Sequence, residues 1–103
     1  MKYYLFKQNN SGNFYIKDKD FGIDENIIIE AENENEAEDL FFNIAKKYGY
    51  KKFNDFCKCC GPRWDGEIDR SFNFIELFDF INEDNRFSIS VHTNKGEIIN
   101  VKQ

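Results

Sequence analysis

The stretch Asn33-Glu34-Asn35-Glu36-Ala37-Glu38-Asp39-Leu40-Phe41-Phe42-Asn43-Ile44-Ala45-Lys46-Lys47-Tyr48-Gly49 decides how this chain folds. Ala37, Leu40, Phe41, Ile44, Ala45 and Tyr48 recur at helical spacing and make one apolar stripe. Asn33 is a capping residue with Glu36 three positions on, and Gly49 stands where a helix-ending glycine belongs. The spacing predicts a helix over 34–48. Such a helix must bury its stripe against a second layer, and the flanking sequence supplies strands.

Residues 2–8 read as a strand, followed by the turn signal Asn9-Asn10-Ser11-Gly12-Asn13 and a second short strand over 14–17. Residues 26–31, Asn-Ile-Ile-Ile-Glu-Ala, form a third, β-branched strand. Downstream, 50–70 reads as a loop region. The stretch 72–81 fits two patterns: Phe72, Phe74, Phe78 and Phe80 alternate as in a strand, while Phe74, Ile75, Phe78 and Ile81 make a helical stripe. Residues 86–93 and 97–101 flank Asn94-Lys95-Gly96 as a hairpin. The expectation is an α+β fold, a single small domain over 1–103 in which an antiparallel sheet of about five strands packs with one main helix.

Composition narrows the function classes. The chain has 103 residues, net charge −5, twelve Phe, five Tyr and one Trp. Aromatic side chains each bury roughly 150 to 250 Å², so they can fill a core that so short a chain could not build from Ala and Val. More of them than a small core can seal implies a use at a subunit interface or as stacking platforms for a flat ligand. The longest apolar runs, such as Ile27-Ile28-Ile29, are far too short to span a membrane. The N-terminus lacks the pattern of a secretory signal, so a cytoplasmic protein is expected.

Charge is distributed in blocks. Eight acids and no base lie between Asp24 and Asp39, whereas 43–64 holds six bases against Asp55, a local +5 that leaves −10 for the rest. Helix electrostatics accounts for Lys46 and Lys47, which favour a helix C-terminus, but Lys51, Lys52, Lys58 and Arg63 lie beyond the helix. An acidic protein with one basic segment suits a small anionic ligand better than long nucleic acid.

That segment contains Cys57-Lys58-Cys59-Cys60-Gly61-Pro62-Arg63-Trp64, which gathers every thiol, the only Pro and the only Trp. Three readings compete. A structural zinc needs a fourth ligand, for which His92 is the only imidazole, and adjacent cysteines lack the usual spacing. Cys57 and Cys60 have the count of a redox pair. The third reading is a set of small buried thiols beside a Gly-Pro turn that orients Arg63, a fork for phosphate, and Trp64, a face for a purine or a core residue. Asp65, Glu67 and Asp69 suit either a cation or an acidic surface turn. No phosphate loop or nucleophile elbow is present, so catalysis is not expected.

Together, the N-terminal strand running into Gln8-Asn9-Asn10-Ser11-Gly12, then an aromatic, Ile29-Glu30-Ala31, Glu36-Ala37-Glu38 within the helix and Cys57-x-Cys59-Cys60-Gly61-x-Arg63-Trp64 resemble the first type of Thoeris anti-defence protein. The match runs over the first two-thirds of the chain, with Asn13 where a second glycine is expected. These phage proteins sequester cyclic ADP-ribose isomers made by bacterial TIR-domain sensors. The resemblance implies a non-enzymatic sponge in the host bacterial cytoplasm, with no cofactor, acting as a homodimer or larger homo-oligomer with its pocket between protomers. Glycocyclic ADP-ribose is the implied ligand, and cyclic oligonucleotides an additional class. Carried onto this chain, Trp64, Phe14 or Phe72 would face the adenine, Arg63 the pyrophosphate, and Asn9 and Asn10 the ribose hydroxyls. The alternative is a small zinc-stabilised or thiol-containing protein-interaction module.

Overall fold

The computed structural model describes residues 1–9, 15–53, 63–83 and 88–102. Its elements run in chain order as β1 (Lys2–Lys7), β2 (Asn26–Ala31), α1 (Glu34–Tyr48), α2 (Tyr50–Phe53), β3 (Arg70–Phe72), α3 (Phe74–Glu83), β4 (Ile89–His92) and β5 (Ile98–Lys102). The strands form one sheet in the order β3-β1-β2-β4-β5. The fold is α+β with five strands.

The Ile27-Ile28-Ile29 run explains the layering. Alternate side chains of a strand point to opposite faces, and β2 is central, so three consecutive isoleucines are buried by two different layers. Ile27 and Ile29 join Tyr4 and Phe6 of β1 under Ala37, Phe41 and Ala45 of α1. Ile28 joins Leu5, Phe72, Ile89 and Val91 on the other face, where α3 contributes Leu77. Two small cores therefore share one sheet.

Helix α1 spans the predicted 34–48. The Asn33 side chain accepts the Glu36 backbone N–H at 2.9 Å, and Gly49, at φ 101°, donates its N–H to the Ala45 carbonyl. The 72–81 stretch divides: Phe72 ends β3 and α3 begins at Phe74, but the helix turns Leu77 to the core and leaves Phe74, Ile75 and Phe78 of the expected stripe exposed. Asn73 and Glu76 set that boundary with a reciprocal pair of side-chain-to-backbone bonds, 2.8 and 3.0 Å.

Three expectations change. Strands β2 and β4 pair in parallel, so the sheet is mixed, although its other three pairings are antiparallel. The strand expected over 14–17 is not formed in its described part. The Gln8 amide takes the place of a ladder: it accepts the Ile16 N–H at 2.6 Å and donates to the carbonyls of Ile16 and Asp24 at 2.9 and 3.0 Å. The fifth strand is instead β3, and the presumed loop 50–70 also opens with α2. Among the described residues, no helix is long and apolar enough to cross a membrane.

Candidate functional site

The Arg63-Trp64 dipeptide enters the fold at the end of β1. Gln8 and Trp64 form an isolated antiparallel bridge, the Asn9 N–H donates to the Arg63 carbonyl at 2.6 Å, and the Asn9 side chain donates to Asp65 at 3.1 Å. Asn9, Arg63 and Trp64 are thus brought together. Phe72 is not among them: it is buried on the opposite face of the sheet, under the Arg70 guanidinium 4.9 Å from its ring. Asn10, Phe14, Cys57, Cys59 and Cys60 lie outside the described residues.

Neither Arg63 nor Trp64 stands open to solvent. Trp64 is 5 % exposed and lies in a cluster of rings: Phe53 stacks on it at 5.0 Å and 10°, and Phe41 meets it edge-on at 5.4 Å. Phe41 in turn stacks on Phe6 with centroids 4.1 Å apart. Arg63 is 1 % exposed, so its guanidinium is enclosed rather than displayed at the surface. Such aromatic pairs contribute roughly 0.5 to 1.5 kcal/mol each beyond the area they bury.

Outside the cluster is a recess of ≈ 200 Å³. Phe41, Phe53 and Trp64 line it from within, Asp65 and Gly66 bound one side, and Phe42 and Tyr50 line its open parts. Phe42 is 48 % and Tyr50 56 % exposed, so the faces available for stacking belong to these two rings. Sequence reasoning missed them. Phe42 falls one residue off the apolar stripe and Tyr50 one residue past the helix-ending glycine, and an aromatic at a position the core does not need was the available signal. The lysines Lys46, Lys47, Lys51 and Lys52 lie on α1 and α2 and are all exposed.

The polar groups elsewhere hold the fold together. Glu30 accepts from the Tyr3 hydroxyl at 2.8 Å and from the Asn94 N–H at 3.0 Å, tying three segments. The Asn94 amide, with help from Tyr3, holds the Glu30 carboxyl below its ordinary value. Burial lowers the His92 pKa, and its Nε2 lies 2.9 Å from the Gly22 carbonyl, which opposes that shift. Asp65, Glu67 and Asp69 are exposed, as an acidic surface turn would be. Among the described residues no cluster of three or more His, Cys, Asp or Glu side chains has metal-binding geometry.

The fold and site define a small α+β domain built on a five-stranded mixed sheet, with an aromatic recess beside the end of β1. The chain belongs to a family described as a domain of unknown function, DUF7296, whose model matches residues 1–101. No curated protein and no solved structure matches it.

Proposed function

We propose that this protein binds a cyclic ADP-ribose-type nucleotide and holds it unaltered, as the Thoeris anti-defence proteins it resembles do. The observation that carries the reading is the recess flanked by Phe42 and Tyr50, two open aromatic rings over a floor of buried ones, adjoining the Asn9–Arg63–Trp64 junction. Stacking a base on an aromatic side chain is worth about 1 to 3 kcal/mol, and every base has a face to offer.

Size assigns the parts. At ≈ 200 Å³ the recess is smaller than the roughly 300 to 1,000 Å³ of pockets that enclose a whole drug-sized ligand, so it takes the adenine. The ribose and pyrophosphate extend outward, and the exposed lysines of the adjoining helices α1 and α2, among them Lys46 and Lys51, are the candidates to meet their charge. Arg63 and Trp64 act from behind, fixing the wall that Phe42 and Tyr50 flank. A second protomer closes the site in a homodimer or larger assembly, and the exposed Phe74, Ile75 and Phe78 of α3, on the opposite face of the sheet from the recess, are apolar surface for a further contact in a larger assembly. Holding a ligand intact needs no general base and no cofactor. On this reading the protein acts in the host bacterial cytoplasm to block Thoeris immunity, and its net charge of −5 keeps long nucleic acid out.

Calorimetric titration with the cyclic ADP-ribose isomer tests the assignment of the rings. Phe42→Ala and Tyr50→Ala each weaken binding about tenfold or more, the equivalent of about 1.4 kcal/mol of lost stacking. Unchanged affinity in both variants would place the nucleotide elsewhere.

A further inference from the structure

A second recess, of ≈ 240 Å³, lies between α1, the β4–β5 hairpin and the 18–23 turn, and shares no lining residue with the first. Its apolar walls come from Ile29, Leu40, Ile44, Ile98 and Phe21. The gap follows from how α1 sits. Ala37, Phe41 and Ala45 are buried against the sheet, whereas Leu40 and Ile44 on the neighbouring flank are only half-buried. Ile98 is 38 % and Phe21 44 % exposed, so three elements line with apolar side chains a space that none of them fills. Water in such a space has few partners, and an apolar group that displaces it gains.

Four polar side chains interrupt the walls. A carbonyl can only accept, so His92 Nε2 carries the proton that bonds to Gly22, and Nδ1 of the neutral ring is left as an acceptor. Burial lowers the imidazole pKa and so favours the neutral ring. Lys47 makes no ion pair with any described residue. Thr93 Oγ1 accepts the Glu97 N–H at 3.1 Å and still has its own hydrogen to give, and Asn43 adds an exposed amide.

We propose that this recess binds a small planar aromatic carboxylate carrying a ring N–H, of the indole-carboxylate kind. The ring system packs against Ile29, Leu40, Ile44 and Ile98. The carboxylate pairs with Lys47 and takes hydrogen bonds from Asn43 and Thr93, and the ring N–H donates to His92 Nδ1. The volume is below the range of pockets for drug-sized ligands, which suits one or two fused rings. With one cation in the lining, the site has no counterpart for the second phosphate of a dinucleotide, so it is distinct from the nucleotide site and does not depend on it.

The protein has one histidine, so the ring C–H signals of His92 report on this recess without ambiguity in an NMR titration. Indole-3-acetate is the probe, and a saturable shift of the His92 signals at millimolar concentration or below is expected. Lys47→Gln, at an exposed position away from the core, weakens binding about tenfold, and indole without the carboxylate binds more weakly than indole-3-acetate. Ile98→Phe, at a partly exposed position, fills the recess and abolishes binding in a protein whose circular dichroism is unchanged. Absence of a saturable His92 shift overturns the proposal, as does equal affinity of wild type and Lys47→Gln; the latter variant keeps the test valid if Ile98→Phe does not fold.

Discussion

Adding one methyl group at Gly22 perturbs the meeting point of the 18–23 turn and the β4–β5 hairpin. Gly22 sits at φ +67°, a conformation that costs an L-residue about 1 to 2 kcal/mol. A Cβ built there would overlap His92 Nε2, approach His92 Cε1 at 2.6 Å and approach Ile98 Cγ2 at 2.8 Å. Ile98 borders an open recess and can give way, but His92 cannot withdraw from the methyl group without lengthening its 2.9 Å bond to the Gly22 carbonyl. Losing that bond costs about 1 kcal/mol, and relieving the overlap about 1 to 3. Gly22→Ala should therefore destabilise the fold by about 3 to 6 kcal/mol, against a total of about 5 to 15 for a typical domain. For a chain of this size that lowers Tm by roughly 15 to 30 °C. Thermal and urea unfolding measure the effect, and His92→Ala in the Gly22→Ala background should recover part of it, because the smaller side chain leaves room for the methyl. A Tm within about 3 °C of wild type, well inside the shift expected per kcal/mol, would refute the packing described at this turn.

Two neighbouring rings on α1 should behave oppositely. Phe41→Ala, at the centre of the stack with Phe6, Phe53 and Trp64, costs about 3 to 5 kcal/mol, whereas Phe42→Ala, at a half-exposed position, costs under about 1; denaturant midpoints compare them. His92 makes stability depend on pH: burial lowers its folded pKa below 6.5, so its contribution is fully present above about pH 6.5 and falls as pH drops through the folded value. His92→Gln should flatten that part of a stability-against-pH curve, and an unchanged slope would show that another group is responsible.

What was legible in the sequence follows from what is local. The cap at Asn33, the stripe of α1 and the glycine after it are short-range patterns, and all three are found in place. The β4–β5 hairpin is equally local. The parallel pairing of β2 with β4 joins segments separated by α1, α2, β3 and α3, and nothing in either segment announces its partner. The 14–17 strand failed for a related reason: Gln8, read as part of a strand, spends its side chain on the Ile16 backbone and satisfies it without a ladder. At the candidate site, sequence drew attention to Arg63 and Trp64, and the structure joins them to Asn9. It could not say that both would be enclosed. Phe41 and Phe53 close over Trp64, and the open faces fall to Phe42 and Tyr50. The surplus of aromatics is thus divided among a buried stack, two open rings at the recess and the outer face of α3.

The most direct test of the account is the fate of the nucleotide itself. The protein is incubated with the cyclic ADP-ribose isomer, freed of unbound ligand by gel filtration and denatured by heat, and the released material is identified by mass spectrometry. Sequestration without reaction predicts recovery of the intact cyclic nucleotide in stoichiometric proportion to the protein. Recovery of a hydrolysed product, or of no nucleotide at all, would contradict it.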